Sequence, residues 1–141
     1  MHRSAVVYLV NHHLVIGASR RTATGLQLEV EPRALQADSN AEEVAATLLS
    51  ALDASEPTEV QPGDWKGVFD PFLRAAGVKS YKAFMSGARS VNVDEQDGAF
   101  LVTPNCNLGP SEGFEPITSE SLRLSDLPSV VRAVLEKLRA T

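Results

Sequence analysis

An α+β fold with a mainly antiparallel sheet, forming one domain over residues 1–141, is what this chain predicts. Strand patterns cluster at the start and in the middle. An Asp-Gly pair sits between two apolar runs, and helical periodicities fill the remaining stretches without alternating strictly with strands. With 43% hydrophobic and 22% charged residues over 141 positions, there is enough apolar material for a core without cross-links.

Residues 5–10 are an apolar, mostly β-branched run, the pattern of a buried strand. Residues 12–17 read as its hairpin partner, with Asn11 and His12 in the turn. In residues 25–31 the alternation is strict, which sends Leu26, Leu28 and Val30 to the core and Gln27, Glu29 and Glu31 to water, with Pro32 ending the strand. Ser39 followed by Glu42 is a capping-box spacing, and Val44, Leu48, Leu49 and Leu52 then mark one helical face. Residues 54–63 contain Pro57, Pro62 and Gly63 and read as a loop.

Asp64 is placed to cap a helix through Trp65, Val68, Phe69, Phe72 and Leu73, kinked or split at Pro71 and stopped by Gly77. Ser80 opens a short helix burying Tyr81, Phe84 and Met85. Residues 89–93 and 99–103 are strands joined through Asp97-Gly98, with Pro104 as the stop. Residues 105–115 read as a long surface loop and 119–124 as a short strand. Val130, Val131, Val134, Leu135 and Leu138 stripe a final helix, capped by Ser125 or Asp126 and tolerating Pro128 in its first turn.

The net charge of −5 is unevenly spread. Residues 38–64 hold seven acids and no base, and residues 94–141 hold eight acids against four bases. Such a balance repels phosphate backbones, so direct nucleic-acid binding is not expected, whereas a cationic protein partner is favoured. The longest apolar run is too short to span a membrane, and no cleavage site follows it. The single cysteine, Cys106, forms no internal disulfide and suits a reducing compartment, so a cytoplasmic location is expected.

Catalytic and metal chemistry find little support. Cys106 lies in a polar stretch far in sequence from the three histidines, and His12 and His13 point to opposite faces of a strand. Neither a phosphate-binding glycine loop nor a cofactor motif is present. A recognition surface is therefore the expected function.

Residues 65–72, then 77–84 (Gly-Val-Lys-Ser-Tyr-Lys-Ala-Phe), 91–93 (Val-Asn-Val) and 98–104 (Gly-Ala-Phe-Leu-Val-Thr-Pro) carry a further signal. This order of an aromatic helix, a Gly-x-Lys-[ST]-x-[KR]-x-[LF] element and a strand pair ending near proline resembles bacterial contact-dependent growth inhibition immunity proteins. It extends from about residue 35 to the end, with Pro71 and the loop at 105–115 as departures. The resemblance implies an antidote that binds the C-terminal domain of a cognate secreted toxin, often a nuclease acting on transfer RNA. It would occlude the toxin's basic cleft with acidic loops. The residues it nominates as toxin-binding are Asp94, Glu95, Asp97, Glu112 and Glu115, with Glu56, Glu59 and Asp64 as a further acidic zone; Gly77, Lys79 and Ser80 are structural. The competing readings are a small hydrolytic enzyme using Cys106 or an acidic pair, and a non-inhibitory adaptor.

Overall fold

The computed structural model describes residues 2–22, 27–56 and 67–139. Among them the fold is α+β: seven strands form one antiparallel sheet, and two helices pack on each face. The strands are β1 (His2–Val10), β2 (His13–Arg21), β3 (Gln27–Gln36), β4 (Arg89–Gln96), β5 (Ala99–Asn107), β6 (Phe114–Pro116) and β7 (Leu122–Leu124). Their order is β3-β2-β1-β4-β5-β6, and β7 shares the outer edge of β5 with β6.

Cover on both faces explains why residues 5–10 are apolar without alternation. Ala5 and Val7 face the layer of α1 (Ala41–Ala54) and α4 (Leu127–Arg139), where Val44, Leu48, Leu52, Val130, Val134 and Leu138 complete the core. Val6, Tyr8 and Val10 face α2 (Asp70–Ala76) and α3 (Tyr81–Met85), against Phe72, Phe84 and Met85. β2 follows the same logic: Leu14 and Ile16 face one layer, and Val15 the other. Gly17 is where the second layer comes closest. A Cβ there would lie 2.5 Å from the Phe72 ring, so glycine is the residue that lets α2 seat.

Both hairpin turns are two residues long with positive φ at each position: Asn11 (49°) with His12 (62°), and Asp97 (54°) with Gly98 (79°). This mirror-image geometry matches the twist of the flanking strands. Asn11 has a second role, since its Nδ2 donates to the Ala76 carbonyl at 2.9 Å and satisfies the end of α2. Gly77 follows in the left-handed conformation (φ 73°), as its position predicts, and Ser80 caps α3 by accepting from Ala83 N at 3.0 Å.

Several sequence expectations need correction. Neither proline ends its strand. β3 runs through Pro32 because it is the outermost described strand, where a missing N–H leaves no ladder bond unmade. A register shift opposite residues 16–18 and a positive φ at Glu31 (52°) accompany it. β5 runs through Pro104 to Asn107, so Cys106 lies on a strand and not in a loop. The cap of α1 is Asn40, one residue later than expected. Its side-chain oxygen accepts from Glu43 N at 2.9 Å, and its amide Nδ2 donates to the Glu43 carboxylate at 3.3 Å, a side-chain cap and not the backbone-to-carboxylate return of a capping box. Leu49 and Tyr81 are exposed, at 41% and 39%. α2 begins at Asp70, with Pro71 in its first turn, where proline fits without a kink. Leu26, Asp64 and Trp65 lie outside the described residues. Asp126, not Ser125, caps α4; the Ser129 backbone N–H (2.8 Å) and hydroxyl hold its carboxyl below the usual aspartate range.

Candidate functional site

The five acids nominated from sequence fall into two groups toward opposite ends of β5: Asp94 lies opposite Leu101 and Glu115 opposite Cys106, five residues or roughly 17 Å further along. Asp94 and Glu95 are strand residues and are already engaged. Asp94 accepts from the Ser4 hydroxyl at 2.6 Å and lies 3.3 Å from His2 Nε2. Glu95 pairs with Arg3, which also pairs with Asp53. The hydrogen bond to Glu95 is the main reason the Arg3 guanidinium sits above its ordinary value. This network ties β1, β4 and the end of α1 together, with Ser55 Oγ accepting Ser4 N at 2.9 Å and donating to Leu52 O at 2.7 Å. Asp97 is exposed at the hairpin tip. At the far end Glu112 is exposed in a tight turn, and Glu115 is exposed on β6 opposite Cys106. Glu56 is exposed; Glu59 and Asp64 lie outside the described residues.

The Cys–His pair that the enzyme reading needs is not formed. His13 on β2 is separated from Cys106 on β5 by β1 and β4, three strand spacings or roughly 14 Å. His2 lies at the opposite end of the sheet, beside Gln96. Among the described residues no three His, Cys, Asp or Glu side chains converge to hold a metal ion, and no helix is long and apolar enough to cross a membrane.

A different concavity emerges on the α2/α3 face. β4 and β5 present small polar residues there, so the two short helices leave a cleft of about 410 Å³. Its walls are aromatic. Tyr8 meets Phe69 and Phe72 edge-on with ring centroids 6.0 Å away, Phe84 at 5.1 Å and Phe114 at 5.7 Å; Tyr81 extends the group through Phe69 at 5.5 Å. Polar groups converge on the floor. Asn105 Nδ2 donates to Ser90 Oγ at 3.0 Å and Asn92 Oδ1 at 3.1 Å, while Asn92 Nδ2 returns a bond to Asn105 Oδ1 at 3.3 Å.

Glu29 completes the wall, accepting a hydrogen bond from the Tyr8 hydroxyl. The strand alternation assigned Glu29 to solvent, but its side chain lies on the same face as Tyr8 and is half-buried. The residue keeps part of its surface open, yet the atoms around its carboxyl desolvate it and raise its pKa, against the opposing pull of the Tyr8 hydrogen bond. Burial likewise pushes the Tyr8 phenol well above its usual value, with the Glu29 charge adding to it, and raises Tyr81 for the same two reasons. A larger groove of about 590 Å³ lies between α1 and α4, floored by Ala45, Val131 and Leu135 and also lined by Glu42, Arg132, Glu136 and Arg139.

A stability test follows from Glu29. A carboxyl whose folded pKa lies above its ordinary 4.5 contributes stability that is full below that value and is lost as pH rises through the folded pKa. Glu29→Gln keeps an acceptor for Tyr8 and removes the ionised form. It is expected to melt higher than the parent at about pH 7, the difference closing by about pH 4. Equal melting temperatures at both pH values would show that the carboxyl is well solvated.

An antiparallel sheet covered on both faces, with an open aromatic and polar cleft on one of them, is the class of molecule these features define. No family model matches the chain, and no curated protein does. Solved structures share the fold. A protein of unknown function from Neisseria meningitidis superposes with a TM-score of 0.74 at 17% identity, over 99% of this chain and 94% of that one. A chain of the CdiA-CT/CdiI toxin and immunity complex from Yersinia pseudotuberculosis superposes with a TM-score of 0.71 at 12% identity, over 99% and 98%. The architecture is thus one that occurs in a toxin and immunity complex.

Proposed function

We propose that this chain is a cytoplasmic immunity protein that binds the C-terminal domain of a cognate contact-dependent growth inhibition toxin and neutralises it without catalysis. The observation that carries the reading is end-to-end similarity to a chain of a toxin and immunity complex, with nearly complete coverage of both molecules. The toxin is a nuclease on this reading. A nuclease holds a phosphate backbone in a basic cleft, and the exposed acids of this chain, Asp97, Glu112 and Glu115, carry the complementary charge.

Co-expression with the C-terminal domain of a large secreted protein encoded beside this chain tests the proposal. A stable one-to-one complex burying at least roughly 1,200 Å² in total, with loss of toxicity, is expected. Absence of a complex refutes the reading. Asp94 and Glu95 are poor probes of the interface, because reversing them breaks internal bonds to Ser4 and Arg3. Asp97→Lys and Glu112→Lys change charge at exposed positions and are expected to slow association and flatten its salt dependence. Unchanged association with both variants removes these acids from the interface.

A further inference from the structure

The cleft on the α2/α3 face sets aromatic rings beside a carboxylate and two amides. Ring surfaces of Phe69, Tyr81 and Phe114 border it, above the buried Tyr8. Its acceptors are the Glu29 carboxylate and the side-chain oxygens of Asn92 and Asn105. Among the described residues no base pairs with Glu29, and its side chain accepts a hydrogen bond from the neutral Tyr8 hydroxyl. A carboxylate set against aromatic rings without a cation is a half-made ion pair, and ring faces themselves attract cations.

We infer that this cleft is the receptor for an arginine side chain presented by the protein partner. The guanidinium would stack on the rings while donating to Glu29, and the Asn92–Asn105 amides, three and four strands away across the sheet, would meet the peptide backbone that flanks it. Arginine fits better than lysine because the site offers planar ring faces and a two-oxygen carboxylate, matching a flat ion that can donate two parallel N–H bonds. A cleft of about 410 Å³ also has room for the flanking backbone that delivers the side chain. Buried arginine in an aromatic pocket is a frequent energetic centre of protein interfaces. The inference that the arginine comes from a toxin rests on the immunity reading; the chemistry of the cleft does not.

The test uses the full chain with two small probes, N-acetyl-arginine amide and its uncharged isostere N-acetyl-citrulline amide, followed by amide NMR shifts. Arginine amide is expected to shift Asn92, Asn105 and Phe114 saturably and to bind about tenfold or more tightly than citrulline amide; Glu29→Gln erases that preference. Because Glu29→Gln is expected to be at least as stable as the parent, its lost preference is not lost folding. Equal binding of the two probes, no shift with either, or an undiminished preference in Glu29→Gln overturns the inference. A second arm measures the toxin complex. Glu29→Gln is expected to weaken it about tenfold or more, mainly through faster dissociation. A parent chain that binds the toxin while Glu29→Gln binds equally well overturns the inference and leaves the immunity reading standing. If the parent binds no toxin yet prefers arginine amide through Glu29, the immunity reading fails and the probe arm alone decides the chemistry of the cleft.

Discussion

Phe72→Ala is expected to lose about 3–5 kcal/mol of folding stability, a large part of what a domain of this size possesses. Phe72 is fully buried and stacks on Phe69 at a centroid distance of 4.9 Å with the rings 10° from parallel. Its ring fills the space above Gly17, so truncation leaves a void between α2 and β2 that two rigid elements cannot close. Urea unfolding should show a lower midpoint at unchanged slope. A companion substitution sharpens the claim. Gly17→Ala in the parent forces a methyl into the Phe72 ring and is expected to cost about 1–3 kcal/mol, but far less once Phe72 is alanine. Additive costs for the pair would mean that the ring and the glycine are not in contact.

Asn107→Ala is expected to lose about 2–3 kcal/mol and to loosen one end of the molecule selectively. The Asn107 amide donates to Met85 O at 2.8 Å and Ala88 O at 2.9 Å, and its oxygen accepts from Gly109 N at 2.9 Å. One side chain therefore closes the exit of α3 and the entry to the loop bearing Glu112. Hydrogen exchange should accelerate at Gly109 and Gly113 while β1 and β4 stay protected. Asn107→Asp should be worse than alanine, because a carboxylate cannot donate to the two carbonyls and sets negative charge against them. An aspartate variant as stable as the parent would refute this account of the residue.

Much of the fold was legible because local chemistry and tertiary packing agree. The apolar run of β1, the Asn11-His12 and Asp97-Gly98 turns, the Gly77 stop, the Ser80 cap and the α4 stripe follow directly from residue type and spacing. What misled were prolines and period. Pro32 and Pro104 look like stops, yet each lies within a strand that continues past it, a matter of sheet position that sequence does not encode. Leu49 matches the helical spacing of the α1 core face but turns outward, since Ala51 lies at the packed face instead.

The cleft was not legible at all. Glu29 obeys the alternation of an exposed strand residue, and its enclosure arises from Tyr8, more than twenty positions away, and from α3 and β6. One clue was present: a tyrosine inside a buried β-branched run requires a polar partner for its hydroxyl. The acids nominated from charge alone divided instead between internal struts, Asp94 and Glu95, and open positions, Asp97, Glu112 and Glu115. Charge density does not separate these two roles; partners in space do.

The course of β3 past Pro32 bears on how the molecule behaves in a crowd of its own copies. An unbroken outer strand would offer a row of free amides on which a second sheet could grow, the usual first step toward fibres. Here that row lacks a donor at Pro32 and is bent by the left-handed Glu31, whose carboxylate is held by Arg20. Copies that meet at this rim find no continuous ladder to extend.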